Sequence, residues 1–283
     1  MATIVSGKEI AQAIYKRLEK KVAILKQKHI TPKLGVILVG GDLPSQTYVK
    51  KKGQAAGNLN IGFLLKKYPA SISTLGLIKE IEKLQQKKYQ LTGLIVQLPL
   101  PKKINSGKAL EAIDSRIDVD CLTQVNLGKL ITGSYKIEPP TPGAILEILK
   151  FHKVNLKGAS VVIVGAGHLI GRPLTNLLLH ELATITVCNI FTKNLSTITQ
   201  KADIVITGVG KHNLLTGKMI KKDAVVVDAG VCFVNGKMYG DIDFKSVSKK
   251  AKLVTPTPGG VGPLTVAKLI ENTVLCAENI NDI

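Results

Sequence analysis

The sequence predicts an α/β protein of two α/β domains, the second a Rossmann-like parallel-sheet domain. Three observations predict it. Short apolar runs alternate with segments of helical spacing along the chain. A proline cluster, Pro139, Pro140 and Pro142, interrupts that rhythm near its midpoint. Beyond the cluster an apolar run leads straight into the glycine-rich turn of "SVVIVGAGHLIGRP" (160–173). The expected boundaries are 1–140 for the first domain and 141–263 for the second. A chain of 283 residues with 45% hydrophobic content has room for two ordinary cores.

The elements follow in order. Ser6–Glu9, "SGKE", forms a capping box. After it Ile10, Ala13, Ile14, Leu18, Val22 and Leu25 recur at helical spacing, so a helix runs to Lys28. "KLGVILVG" (33–40) is a continuous apolar run ending in glycine, the mark of a buried parallel strand. Ser45 can cap a helix reaching Gly57. A strand (61–69), a helix (73–88) and a buried strand, "LTGLIVQLPLP", stopped by Pro99 and Pro101, come next. The proline cluster opens a connector helix carrying Ile145, Leu146 and Leu149. Five short strands follow: "ASVVIVGAG", "ATITVC", "ADIVITGVG", "DAVVVDAG" and "AKLVTPTPGG". "GPLTVAKLIENTVLCAENI" is an amphipathic helix that spacing alone allows to pack on either domain.

Composition narrows the function. Net charge is +19, yet only three of the 39 basic residues are arginine: Arg17, Arg116 and Arg172. Sequence-specific nucleic-acid readers lean on arginine for bidentate contacts, and aromatics, at 4% with no Trp, offer no stacking platform. A lysine-rich surface, or attraction for a small polyanion, fits better. Cys121, Cys188, Cys232 and Cys276 show no metal spacing, as expected in a reducing cytoplasm. Neither a signal peptide nor an apolar run long enough for a membrane span is expected.

Gly165, Gly167 and Gly171 form a GxGxxxG turn between strand and helix. Small residues there let the backbone approach a pyrophosphate at the helix N-terminus. Two further strands, ending in "ITGVGK" and "VDAGV", line the same crevice. After the second strand of this domain stand Cys188, Asn189 and Ile190, neither the acid that reads a 2′-hydroxyl nor the arginine that reads a 2′-phosphate.

"SQTYVKKKG" (45–53) poses the other question, because a lysine run is usually solvated surface. On a helix Tyr48 and Lys52 share a face, while Lys50 and Lys51 turn away toward solvent. Gln97 is the one polar residue of an apolar strand and, if buried, needs a partner. Asp118 and Asp120 fall on opposite faces of an extended segment, so one can enter a cleft while the other meets solvent. No His or Glu joins them, so a metal pair is not expected. Lysine, tyrosine, glutamine and carboxylate together make a plausible acid–base site, because burial lowers a lysine's pKa.

"SQTYVKKK", "VQLPLP", "DVD", "PPTPGAI", "GAGHLIGRP", "GDIDF" and "TPTPGGVGPLTVAKLIENT", in that order, resemble the bifunctional methylenetetrahydrofolate dehydrogenase/cyclohydrolase family over essentially the whole chain. The resemblance implies oxidation of 5,10-methylenetetrahydrofolate by a nicotinamide cofactor, then hydrolysis of the methenyl cation to 10-formyltetrahydrofolate. It implies a homodimer in one-carbon metabolism, with the terminal helix, 264–283, returning to the first domain. Lys52 would be the lysine of the hydrolytic step, oriented by Gln97, with Tyr48 packed on the folate. Asp120 would bind the pterin. Pro258, Gly259 and Gly260 would form the folate-side loop. Gly165, Ala166 and Gly167 would meet the cofactor, with Ile190 and Val231 close by. NADP is the family default, and NAD is possible.

Three positions depart from the family. Cys121 replaces the glycine after "DVD". Ala166 and Gly167 stand where an arginine or serine is common, and Ile190 where a polar or basic group is common. The expected consequence is poor discrimination between NADP and NAD, unless His168, Arg172 or Lys193 reaches the 2′-phosphate. The competing functions are a dehydrogenase without hydrolase activity and a non-catalytic basic protein that binds nucleotides or nucleic acid.

Overall fold

The computed structural model describes residues 2–280. In chain order the strands are β1 (Thr3–Ile4), β2 (Lys33–Val39), β3 (Gly62–Tyr68), β4 (Gly93–Val96), β5 (Ser160–Val164), β6 (Thr184–Cys188), β7 (Ile204–Thr207), β8 (Val225–Asp228), β9 (Cys232–Val234), β10 (Lys237–Tyr239) and β11 (Leu253–Val254). The helices are α1 (Gly7–Gln27), α2 (Leu43–Asn58), α3 (Thr74–Leu84), α4 (Ser106–Glu111), α5 (Gln124–Thr132), α6 (Pro140–Phe151), α7 (Gly171–His180), α8 (Leu195–Thr199), α9 (Phe244–Val247) and α10 (Val261–Ile280).

The chain divides into two compact units. One comprises Ala13–Pro140 and the chain from Val266 onward; the other comprises Thr141–Thr265 and the residues up to Gln12. Positions 281–283 of the expected terminal helix lie outside the described residues. The N-terminal limit of 1–140 requires correction, because β1 is the edge strand of the second unit's sheet. It pairs in parallel with β11, Thr3 opposite Leu253 and Ile4 opposite Val254. A two-residue strand carries no periodicity, so the sequence does not announce it.

In the first unit β3-β2-β4 form a parallel sheet. Ile37, Val39, Leu94 and Val96 pack beneath Leu77, Ile81 and Leu84 of α3. The start of α2 differs from expectation. Asp42, not Ser45, is its cap: the Asp42 carboxylate accepts from Ser45 N at 2.9 Å. Pro44 in the first turn costs no hydrogen bond there.

In the second unit the parallel sheet runs β1-β11-β8-β7-β5-β6. The chain goes from β5 outward to β6, then crosses back to β7 on the other side of β5. The switch point therefore lies between the ends of β5 and β7, where open α/β sheets take their ligands. Val162, Val164, Val205, Val226 and Val254 form its aliphatic core. The hairpin β9–β10 turns through Asn235 (φ 50°) and Gly236 (φ 75°). Both angles are left-handed, as a two-residue type I′ turn requires. No helix among the described residues is long and apolar enough to cross a membrane.

Candidate active site

The first unit assembles its polar residues at the C-terminal end of its sheet. The chain leaves β4 at Gln97. Alongside β4, Leu94 N donates to Ile117 O at 2.7 Å, and Leu94 pairs with Asp118 in parallel. The chain turns directly after this bridge, Cys121 N donating to Asp118 O at 3.0 Å, and Asp120 lies on that turn, where its charge acts on Lys52. The helix after β2, α2, lays Ser45, Val49, Lys52 and Ala56 along its buried stripe. Spacings of four, three and four give one face. A lysine on such a stripe is 9% exposed.

Lys52 Nζ donates to Gln97 Oε1 at 2.9 Å. Gln97 Nε2 donates to Leu98 O at 2.7 Å, which fixes the amide so that its oxygen faces the lysine. Burial pushes the Lys52 ammonium below the ordinary lysine range, while the Asp120 charge acts the other way. Burial likewise pushes the Asp120 carboxyl up, opposed by Lys52 and aided by Asp118. Burial thus disfavours the charged form of each group, while their mutual attraction opposes that shift. Tyr48 is partly buried, and burial raises its phenol. Lys51 is exposed, as expected, and its ammonium also reaches to 5.6 Å from the Tyr48 ring centroid, within i,i+3 reach.

Asp118 corrects an expectation. It does not meet solvent; it is fully buried. Its carboxylate accepts from Leu122 N at 3.2 Å, Thr123 N at 2.9 Å and Asn126 Nδ2 at 3.0 Å, tying down the entry to α5. Between this structural acid and the helix, Cys121 adopts φ 57°, a left-handed conformation in which a glycine carries no strain.

The second unit builds its crevice from backbone. A Cβ on Gly171 would lie 1.8 Å from Gly165 O, and one on Gly165, whose φ is 118°, would lie 2.9 Å from Gly208 O. These glycines let loop, helix and the turn after β7 touch. A Cβ on Gly167 would meet nothing within 4 Å, which leaves open space at the turn. Ile170, at the N-cap of α7, offers no side-chain acceptor to the helix N–H groups. Such a turn fits a dinucleotide pyrophosphate. Ile190 is 91% exposed and Val231 41% exposed, while Ala166 contributes its carbonyl, which accepts from Arg172 Nε at 3.1 Å. Pro258, Gly259 and Gly260 precede α10 in this same unit, where Gly259 O accepts from Gly7 N at 3.0 Å. His168 and Lys193 are exposed.

Two residues of this unit lie inside the stretches "VDAGV" and "GDIDF" but receive no role from the sequence. Asp228, at the end of β8, and Asp241, after β10, are buried acids. The available signal was, for Asp228, an acid closing the apolar run "VVVD" and, for Asp241, an acid directly after Gly240.

A two-unit α/β chain, with a glycine-lined switch point in one unit and a buried lysine in the other, is the architecture of a dinucleotide-dependent enzyme. Residues 5–120 match the catalytic domain, and residues 139–281 the NAD(P)-binding domain, of tetrahydrofolate dehydrogenase/cyclohydrolase. The chain belongs to that family. It is 44% identical over 278 residues to the bifunctional protein FolD of Nautilia profundicola, with 98% of each chain covered. The crystal structure of the bifunctional enzyme FolD, methylenetetrahydrofolate dehydrogenase/cyclohydrolase, from Campylobacter jejuni superposes with a TM-score of 0.95 at 41% identity, covering 99% of this chain and 100% of the other. The Trypanosoma brucei methylenetetrahydrofolate dehydrogenase-cyclohydrolase, solved with NADP cofactor and an inhibitor, gives a TM-score of 0.95 at 34% identity, with 100% and 99% covered.

Proposed function

We propose that this protein oxidises 5,10-methylenetetrahydrofolate to the 5,10-methenyl cation with a nicotinamide dinucleotide and hydrolyses that cation to 10-formyltetrahydrofolate. The observation that carries the reading is the buried Lys52, hydrogen-bonded to Gln97 at 2.9 Å beside Asp120, in a chain of this family. When bound, the nicotinamide supplies the hydride acceptor. Gly165, Ala166 and Gly167 hold its dinucleotide, with Ile190 and Val231 against it. Asp120 binds the pterin, Tyr48 packs on the folate, and Pro258, Gly259 and Gly260 form the loop on the folate side.

Hydrolysis needs one water and one proton acceptor, because the methenyl carbon is already electrophilic. As the new C–O bond forms, the neutral Lys52 amine takes a proton from water, with its lone pair aimed by Gln97. Cleavage of the C–N5 bond then leaves the formyl group on N10, and N5 takes up a proton as the hydroxyl loses its own. One proton is released overall.

The cofactor is NADP, with NAD accepted as well. Ala166, Gly167 and Ile190 bring no charge to a 2′-phosphate, and the Arg172 guanidinium, folded back on the Ala166 carbonyl, is a candidate cation beside this turn. The protein works as a cytoplasmic homodimer. The outer strand β6 and the exposed Leu182, Val187 and Phe191 around it support self-association.

Methenyltetrahydrofolate formation, followed by absorbance at fixed folate and salt with each nicotinamide, tests the reading. Both cofactors should react, with NADP favoured in kcat/KM by less than about 100-fold, roughly what one or two charged hydrogen bonds supply. No product with either cofactor would refute the function. A larger ratio would show that a cation reads the phosphate after all.

A further inference from the structure

Asp228 and Asp241 are 2% and 0% exposed, yet no Lys, Arg or His side chain pairs with either among the described residues. A buried carboxylate without a cation needs strong donors. Here the backbone supplies them. Asp228 accepts from Thr207 Oγ1 at 3.0 Å, Gly230 N at 3.0 Å, Asp241 N at 3.1 Å and Ile242 N at 3.2 Å. It thereby fixes the backbone of Asp241 against the ends of β7 and β8. The Asp241 carboxylate then reaches outward, one oxygen accepting from Val209 N and the other from Lys211 N, each at 2.7 Å.

Val209–Lys211 is a surface turn: the Val209 side chain is 49% exposed, and Gly210 sits at φ 80°. The N–H groups on either side of Gly210 both face one carboxylate, as backbone N–H groups do in a nest for an anion. In this protein the anion is internal. The glycines around it record how close it lies. A Cβ on Gly230 would fall 2.1 Å from the Asp241 carboxyl carbon, and one on Gly240 1.9 Å from an Asp228 oxygen.

The anchored turn sits between two expected cofactor contacts. Gly208 O limits any Cβ on Gly165 to 2.9 Å, and a Cβ on Gly210 would lie 3.2 Å from Val231 O. We infer that Asp241 is a positioning residue for the nicotinamide dinucleotide. It holds the turn after β7 as a preformed wall of the crevice, and Asp228 holds Asp241. The inference rests on the dinucleotide part of the function proposed above and deepens it.

The test is Asp241→Asn, in which an amide NH₂ replaces one acceptor and faces a backbone donor. Direct titration with NADP should show affinity weakened at least about tenfold, the equivalent of one hydrogen bond to a charged acceptor. The KM for NADP should rise in parallel, while hydrolysis of methenyltetrahydrofolate without cofactor stays at the wild-type rate. Thr199→Val, which removes a buried hydroxyl donor to Met219 O elsewhere in the unit, is the control for mere destabilisation and should leave NADP affinity unchanged. Unchanged affinity in Asp241→Asn, or an equal loss in Thr199→Val, overturns the inference. Should the Asn variant not fold, amide exchange in the wild-type protein without cofactor decides. The N–H groups of Val209 and Lys211 should be protected despite their exposed side chains, and exchange at unprotected loop rates would overturn the inference. Titration and exchange both read out whether or not folate turns over, so failure of the proposed reaction is told apart from failure of this inference.

Discussion

The two units make their sites by opposite means. In the unit of β2–β4 the site is made of side chains that burial has perturbed: a lysine on the inner stripe of α2, a glutamine at the end of an apolar strand, and a carboxylate beside them. In the unit of β5–β8 the site is made where side chains are absent, at Gly165, Gly171 and Gly208, so that three backbone segments touch. Proton transfer requires titratable groups held in a perturbing environment, whereas a pyrophosphate is held by backbone N–H groups that a Cβ would keep away. The contrast teaches that substitutions in the first site should strike chemistry and those in the second should strike structure. Substitutions that separate the two rules test it.

The largest structural loss is expected at Gly171→Ala. Its Cβ overlaps the Gly165 carbonyl, which is backbone and cannot swing aside. We expect about 3 kcal/mol or more of destabilisation, with NADP binding lost in the protein that folds; denaturant titration and a binding assay check both. An unchanged denaturation midpoint would break the contrast from this side.

The aspartate pair sharpens it from the other. Asp118→Ala removes the acceptor of three donors, of which Asn126 Nδ2 keeps a second bond to Ser115 O, so it should cost about 2–3 kcal/mol and behave as a structural mutation inside the side-chain site. Asp120→Ala should leave the midpoint nearly intact and weaken a folate analogue by about 10- to 100-fold, the worth of a charged hydrogen bond, with NADP affinity unchanged. Equal effects of the two substitutions on folate and on stability would erase the distinction drawn between them.

The smallest effect is expected at Cys121→Gly. Relief of the left-handed strain, about 1 kcal/mol, opposes the loss of a buried side chain and the flexibility of glycine in the unfolded chain. The net change should stay within about 1 kcal/mol; a thermal-unfolding series against the parent reports it, and a loss above that limit would mean that Cys121 packs more than it strains.

Much of this was legible in the residues, for physical reasons that differ by element. Gln97 stood out because a lone polar group in an apolar strand has to find a partner, and it found Lys52. The strands β2, β4, β5, β7 and β8 were visible as apolar runs because parallel strands are covered on both faces. The cap of α2 was misplaced because Asp42 and Ser45 are both good caps three residues apart, and only the backbone shows which one accepts. The alternation argument sent one of Asp118 and Asp120 to solvent because it knows nothing of the turn into α5, whose N–H groups claim Asp118. The hairpin β9–β10 carried its signal in Asn235-Gly236, between runs of three residues too short to register as strands. The anchoring of Val209 and Lys211 by Asp241 joins residues about thirty apart through backbone donors, which no side-chain pattern reveals.

The central claim is that buried Lys52 moves the proton of hydrolysis, and Lys52→Met measures it most directly. Methionine keeps the reach of lysine's apolar stem, with sulfur in place of Cδ, and lacks the amine. With methenyltetrahydrofolate supplied and no nicotinamide present, the variant should hydrolyse about 10² to 10⁴ times more slowly than the wild type, without a fall in its thermal midpoint. In the wild type the rate should climb with pH as Lys52 loses its proton, at a pH below the ordinary lysine range because burial disfavours the charged form. That rising limb should be absent from the variant. Hydrolysis near the wild-type rate in a folded Lys52→Met protein, with the same pH profile, would contradict the account.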